Sequence, residues 1–139
     1  MSKQRNVAVA VQFALLALIS CSDNAHDGLY LANQSVAGVF NVWILKGDEL
    51  TIYAIGNIDV KRCKQYSDHL TVDGKSFPFN DEGDVLILYD ETRNRDYRMK
   101  RISDRTDYTI SELNRLVEEA YDNEGSGARG NDVSKDVQN

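Results

Sequence analysis

The sequence predicts a mainly β domain. A small antiparallel meander of seven or eight strands, curled into a barrel or bent sheet, is followed by one C-terminal amphipathic helix. Three observations carry this. From Gly28 to about Ile102, short runs rich in Val, Ile, Leu, Phe and Tyr alternate with turn residues at close intervals. Two glycine–aspartate pairs in that stretch suit two-residue hairpin loops. After residue 108 the apolar spacing changes from a strand period to a helical one.

The run "GLYLA" opens the meander. In "VWILKGDELTIY", Gly47-Asp48 places glycine first in the loop, which sets Lys46 against Glu49, Leu45 against Leu50 and Trp43 against Ile52. Ile44 then meets Thr51, Val42 meets Tyr53 and Phe40 meets Ile55 on the other face. Both faces of this ribbon are largely apolar, so both require a cover. In "HLTVDGKSFPF", Asp73-Gly74 suits a type I′ turn and sets Val72 against Lys75, Leu70 against Phe77 and Asp68 against Phe79. Pro78 lacks an amide donor and assigns its strand to an edge or its nitrogen to the outside.

Further strands are "DVLILYD" (84–90) and "DYRMKRIS" (96–103), with Tyr97, Met99 and Ile102 expected inward and Arg98 and Lys100 outward. Closure of the sheet on itself would remove exposed edges. In the helix, about 109–122, Thr109 and Glu112 form a capping box and Tyr108 with Leu113 a hydrophobic staple. Leu113, Leu116, Val117, Ala120 and Tyr121 make one apolar stripe that must be buried. Residues 123–139 have glycines, charges and no periodicity, and are expected to be disordered.

Ahead of this single β domain (28–122) lies a leader. Lys3 and Arg5 precede Val7–Ser20, an apolar run broken only by Gln12. The run is shorter than the roughly 20 residues a helical membrane span needs, and with its basic start it reads as a signal peptide over residues 1–20. "LISC" resembles the lipobox of bacterial lipoproteins. That resemblance implies that Leu18, Ile19 and Ser20 are recognition positions and that Cys21 is the lipid attachment site, with residues 21–27 a lipidated tether. Ser22 after the cysteine, rather than aspartate, implies the outer membrane facing the periplasm over the inner membrane. Two or more acyl chains, each buried methylene worth about 0.8 kcal/mol, would hold such a domain stably.

Without residues 1–20 the chain carries 14 basic and 22 acidic side chains, a formal charge of −8. That balance argues against a general nucleic-acid binder. Cys63 is the one cysteine besides Cys21, and burial is its expected state. No GxSxG elbow, phosphate-binding glycine loop or calcium loop occurs. His26 in the tether and His69 on an outer hairpin face lack metal-ligand spacing, and both read as solvated. Neither an enzyme nor a cofactor or metal is expected.

Two basic clusters stand out, "KRCK" (61–64) and "RNRDYRMKR" (93–101). Arg98 and Lys100 share a face, which Lys61 joins only if its strand neighbours theirs; such a patch suits acidic headgroups or an acidic protein partner. The expected function is therefore a lipid-anchored, non-catalytic protein-binding module of inhibitor, immunity or assembly type, with an envelope or secreted protein as partner. The layout is also similar to lipocalins in its meander and terminal helix, which implies a carrier of small molecules or lipids in the periplasm. An interior cavity above about 300 Å³ would favour the carrier; inward Trp43, Leu45, Ile52, Leu70 and Phe77 work against one.

Overall fold

The computed structural model describes residues 25–129. The leader, Cys21 and residues after 129 lie outside them. Eight antiparallel strands form one nearly closed, barrel-like sheet: β1 (Gly28–Ala32), β2 (Val42–Lys46), β3 (Glu49–Ala54), β4 (Asn57–Gln65), β5 (His69–Val72), β6 (Lys75–Pro78), β7 (Val85–Asp90) and β8 (Arg95–Ser103). The helix α1 spans Ile110–Arg129. The strand order is β6-β5-β4-β3-β2-β1-β8-β7, so β6 and β7 end the sheet and face each other across a seam.

The two hairpins keep the register their turns dictate. Lys46↔Glu49, Leu45↔Leu50, Trp43↔Ile52, Ile44↔Thr51 and Val42↔Tyr53 pair across the first. Val72↔Lys75 and Leu70↔Phe77 pair across the second, and Phe79 N donates to Asp68 O at 2.9 Å. The expected Phe40–Ile55 pair does not form. The ribbon ends at Val42↔Tyr53; Phe40 turns under the helix, edge-on to Tyr121 at 4.9 Å, while Ile55 stays 55% exposed at a hairpin tip.

Strand alternation sorts the apolar residues into two layers. Tyr30, Trp43, Leu45, Leu50, Leu70, Phe79, Leu86 and Met99 share the inner face and are buried. Trp43 meets Phe77 edge-to-face at 5.8 Å across the interior. Leu29, Val42, Ile44 and Tyr53 lie on the outer face, and α1 covers them with Leu113, Val117 and Ala120. The Tyr53 hydroxyl donates to Asn114 Oδ1 and that of Tyr121 to Gly38 O, which pins the helix across β1–β3. β2 is thus buried on both sides, as its sequence requires. Each fully buried Leu or Val contributes about 1.5–3 kcal/mol relative to exposure.

The capping box forms: Glu112 N donates to Thr109 Oγ1 at 3.2 Å, and Thr109 N donates back to Glu112 Oε2 at 2.8 Å. At its other end α1 runs seven residues past the expected stop, through "NEGSGAR" to Arg129. Tertiary contact overrides the weak local propensity of this stretch. Glu124 accepts from Ser35 N at 3.4 Å and Ser35 Oγ at 3.2 Å, and Ser126 Oγ donates back to Asp122 O.

Ile102 also departs from expectation. The ladder between β1 and β8 pairs Leu29 with Ser103 but Tyr30 with Arg101, leaving Ile102 as the extra residue of a bulge. It is 45% exposed instead of inward. The bulge forms beside Gly28, whose φ of +152° and lack of Cβ admit Ser103 O; a Cβ there would lie 2.5 Å from that oxygen. Among the described residues no helix is long and apolar enough to cross a membrane.

Candidate interaction surface

The fold brings two of the three basic candidates together. Arg98 and Lys100 stand two apart on β8 and point outward, exposed, beside their β7 partners Ile87 and Val85. Neither makes an ion pair among the described residues. Their neighbours on the same strand are engaged: Arg95 donates to Gln34 Oε1 at 2.8 Å, and Arg101 meets Asp84 at 3.3 Å and Asp104 at 3.7 Å. Tyr89, on the same outer face of β7, is 53% exposed. Asp96, opposite Tyr89, is the acid on this face of β8, and Arg98 and Lys100, without ion pairs beside aliphatic surface, form a patch suited to an anionic group flanked by apolar surface.

Lys61 is not part of it. β4 lies four strands from β8 whichever way the ring is followed. Its ammonium is already bound by Asp73 at 3.1 Å and Asp59 at 3.2 Å, and those two carboxylates, Asp73 first, raise its pKa.

A cleft opens next to the patch. β6 and β7 meet at the single bridge Phe79↔Leu86, backed by Asn80 N donating to Val85 O at 2.9 Å. Continued in that register, the ladder would set Phe77 against Leu88, Ser76 against Tyr89 and Lys75 against Asp90. The strands diverge instead. A cleft of about 550 Å³ lies between Lys75, Ser76 and Phe77 on one side and Tyr89, Asp90, Glu91 and Thr92 on the other. The Asp90 carboxylate is turned away from Lys75 into its own loop, where it accepts from Thr92 N at 3.0 Å and Arg93 N at 3.3 Å. Each strand therefore keeps one free backbone edge, and the sequence signal for this was only Pro78 and the short length of β6.

The opposite end of the barrel is sealed by a residue that sequence reasoning placed in solvent. His26 is 7% exposed and stacks on Phe79 with ring centroids 3.9 Å apart. Its Nε2 lies 2.9 Å from Tyr66 O and 3.2 Å from Ser67 O, and its backbone N donates to Gln65 Oε1. Gln65 Nε2 donates to Asp27 Oδ1 and to Gly47 O, and the buried Tyr30 hydroxyl donates to His26 O at 2.7 Å. Burial pushes the Tyr30 phenol up to about 12. Cys63, also buried here, has its thiol pushed up to about 11, chiefly by burial. Nothing local distinguishes His26 in "SDNAHDG"; the partners that bury it lie about forty residues away.

His69 remains on the outer face, stacked on Tyr66 at 4.3 Å, and its Nδ1 sits 2.6 Å from the exposed Asp68 carboxylate. That contact lowers the Asp68 pKa. Asp59 and Asp84, two further carboxylates, each lie against a different cation, Lys61 and Arg101. Among the described residues no three His, Cys, Asp or Glu side chains converge where a metal ion would sit. The patch and cleft offer charge, apolar surface and open backbone edges. No family model, curated protein or solved structure matches the chain.

Proposed function

We propose that the chain is a lipid-anchored envelope protein, held through Cys21, that acts as a non-catalytic protein-binding module. Its partner is another envelope protein or an incoming secreted one. The observation that carries this reading is the unpaired Arg98–Lys100 pair beside Ile87, Val85 and Tyr89, adjoining the open β6–β7 cleft. Polarity along the barrel supports it further. The chain enters at His26 and Gly28, at the end where Gly83 lies against the His26 ring. β7 runs from there towards Asp90, so the cleft opens at the other end. Four residues separate Cys21 from His26, and the five steps between them reach at most about 18 Å. An anchored domain would thus present its sealed end to lipid and its open end to partners.

The test is capture from detergent-solubilised envelope with wild type and an Arg98→Glu/Lys100→Glu variant as baits. Loss of the captured protein with the variant, whose melting curve stays unchanged, supports the reading; equal capture overturns it. Mass spectrometry of the mature N-terminus tests the anchor, and a free thiol at position 21 refutes it.

The cleft volume favours a second reading, a lipocalin-like carrier, since about 550 Å³ exceeds the roughly 300 Å³ floor for small-molecule sites. Its Lys75, Ser76, Asp90, Glu91 and Thr92 lining is polar and its position is the surface seam, not the interior filled by Trp43, Tyr30 and Phe79. Saturable binding of a fluorescent fatty acid that protects the cleft residues would move this reading ahead.

A further inference from the structure

We propose that the groove between β1 and α1 binds a small amphiphilic anion, a phosphate or carboxylate head on a short apolar stem, with the head on Arg98 and Lys100. The site lies on the outer face of the sheet, apart from the β6–β7 cleft, and the inference stands without the protein-binding reading.

Register brings the parts together. β1 and β8 are neighbours, and Lys100 pairs directly with Leu31. Two residues on, Arg98 O accepts from Asn33 N at 3.0 Å. Side chains two apart on a strand share a face, so Leu31 and Asn33 stand beside Lys100 and Arg98 on the outside. Above them rises the flank of α1 that carries Ala120, Asn123 and Glu124, and between the two runs a groove of about 350 Å³. Its wall reaches this far because α1 continues past its expected stop, since Asn123 and Glu124 open the stretch "NEGSGAR".

The free groups select the ligand. Among the described residues Arg98 and Lys100 make no ion pair, and the side chains of Asn33 and Asn123 no hydrogen bond. The other polar groups of the groove are engaged: Gln34 Oε1 accepts from Arg95 at 2.8 Å, and Glu124 Oε1 from Ser35 Oγ at 3.2 Å. Asp96, the acid on this face of β8, stands opposite Tyr89, beyond Arg98 from Lys100. Two cations and two amides thus offer donors to an oxyanion, while half-buried Leu31 and buried Ala120 offer surface to a stem. A bare inorganic anion leaves that apolar surface unused, and a neutral apolar molecule leaves the donors unused. The volume stands just above the roughly 300 Å³ floor of small-molecule sites, so the stem is short.

Titration of the full chain with octyl phosphate and with octanoate, followed by amide NMR shifts, tests the site. Cys21→Ser in that chain removes the residue proposed to carry the anchor, so no acyl chain competes with the probes. Saturable shifts at 31–34, 98–100 and 120–124 are expected with at least one probe. Arg98→Glu/Lys100→Glu should weaken that binding about ten- to hundredfold through lost charge-assisted hydrogen bonds to the head. Asn123→Phe, at an exposed position, fills the groove and should abolish binding while the melting curve stays unchanged. Inorganic phosphate and octanol, the head and the stem alone, should each bind at least about tenfold more weakly than octyl phosphate. Absence of saturable shifts with both probes overturns the inference, as do shifts centred on 75–77 and 88–90. Octanol binding as well as octyl phosphate overturns the anion site, inorganic phosphate binding as well overturns the role of the groove, and full binding by Asn123→Phe places the ligand elsewhere; each sinks the proposal. Where the site holds, tighter binding of dodecyl phosphate than of octyl phosphate names a single-chain lipid as the source, and equal binding names a short-stemmed metabolite. With purified chain and defined probes, the result is independent of whether any envelope protein is captured.

Discussion

Replacing His26 by alanine tests whether a short polar segment ahead of the first strand is structural. The substitution removes a ring stacked on Phe79 at 3.9 Å and a ring nitrogen within reach of two carbonyls, Tyr66 O and Ser67 O. Loss of the aromatic contact costs about 0.5–1.5 kcal/mol. Loss of the hydrogen bond with poorly satisfied carbonyls left behind costs about 1–3 kcal/mol more. The sum, about 3 kcal/mol, is a large share of the roughly 5–15 kcal/mol that holds a domain folded. Urea unfolding followed by tryptophan fluorescence reads it directly, because Trp43 is buried in the interior. With an m-value of about 1.5 kcal/mol/M the midpoint should fall by about 2 M, and the melting temperature by about 10–15 °C. His26→Phe keeps the stack and loses the ring N–H, so it should fall about half as far. A midpoint for His26→Ala within about 0.5 M of wild type would refute the idea that this residue seals the barrel.

Gly28→Ala should destabilise by about 2–3 kcal/mol in the same assay, since the new Cβ meets Ser103 O at 2.5 Å in a conformation that disfavours side chains. Cys63 should resist a thiol reagent at pH 8 in the folded protein and react promptly in urea, because burial holds its thiol near 11; fast labelling of the native state would contradict this. Glu112, lowered to about 2 chiefly by the Thr109 amide and then by Arg105, stabilises the start of α1 while ionised. Its contribution is present above the unfolded value near 4.5 and fades as pH falls towards 2. A carboxyl titration midpoint near 4.5 would show that the capping contact is not maintained in solution.

Much of the fold is legible in the residues because local chemistry and tertiary structure agree. Gly47-Asp48 and Asp73-Gly74 set two registers that the sheet keeps, and Thr109 with Glu112 marks the first turn of the helix. The misreadings share one cause, contacts distant in sequence. Ile102 turns outward because a bulge is needed where β8 passes Gly28. Phe40 leaves its ribbon because Tyr121 claims it. α1 outlasts its propensity because Glu124 finds Ser35. The candidate surface is half visible in the sequence. Alternation alone put Arg98 and Lys100 on one face, but only strand order removes Lys61, and only the seam reveals the cleft.

The position of β1 bears on mechanics. Whatever pulls on the N-terminus loads first the imidazole wedged beneath Tyr66 and Ser67, then a strand flanked on both sides, by β2 and by β8. Two ladders must slide together under such traction, with their hydrogen bonds strained in parallel, not unzipped singly as at a sheet margin. A strand held on both sides resists traction along its length better than one at the sheet margins, β6 or β7.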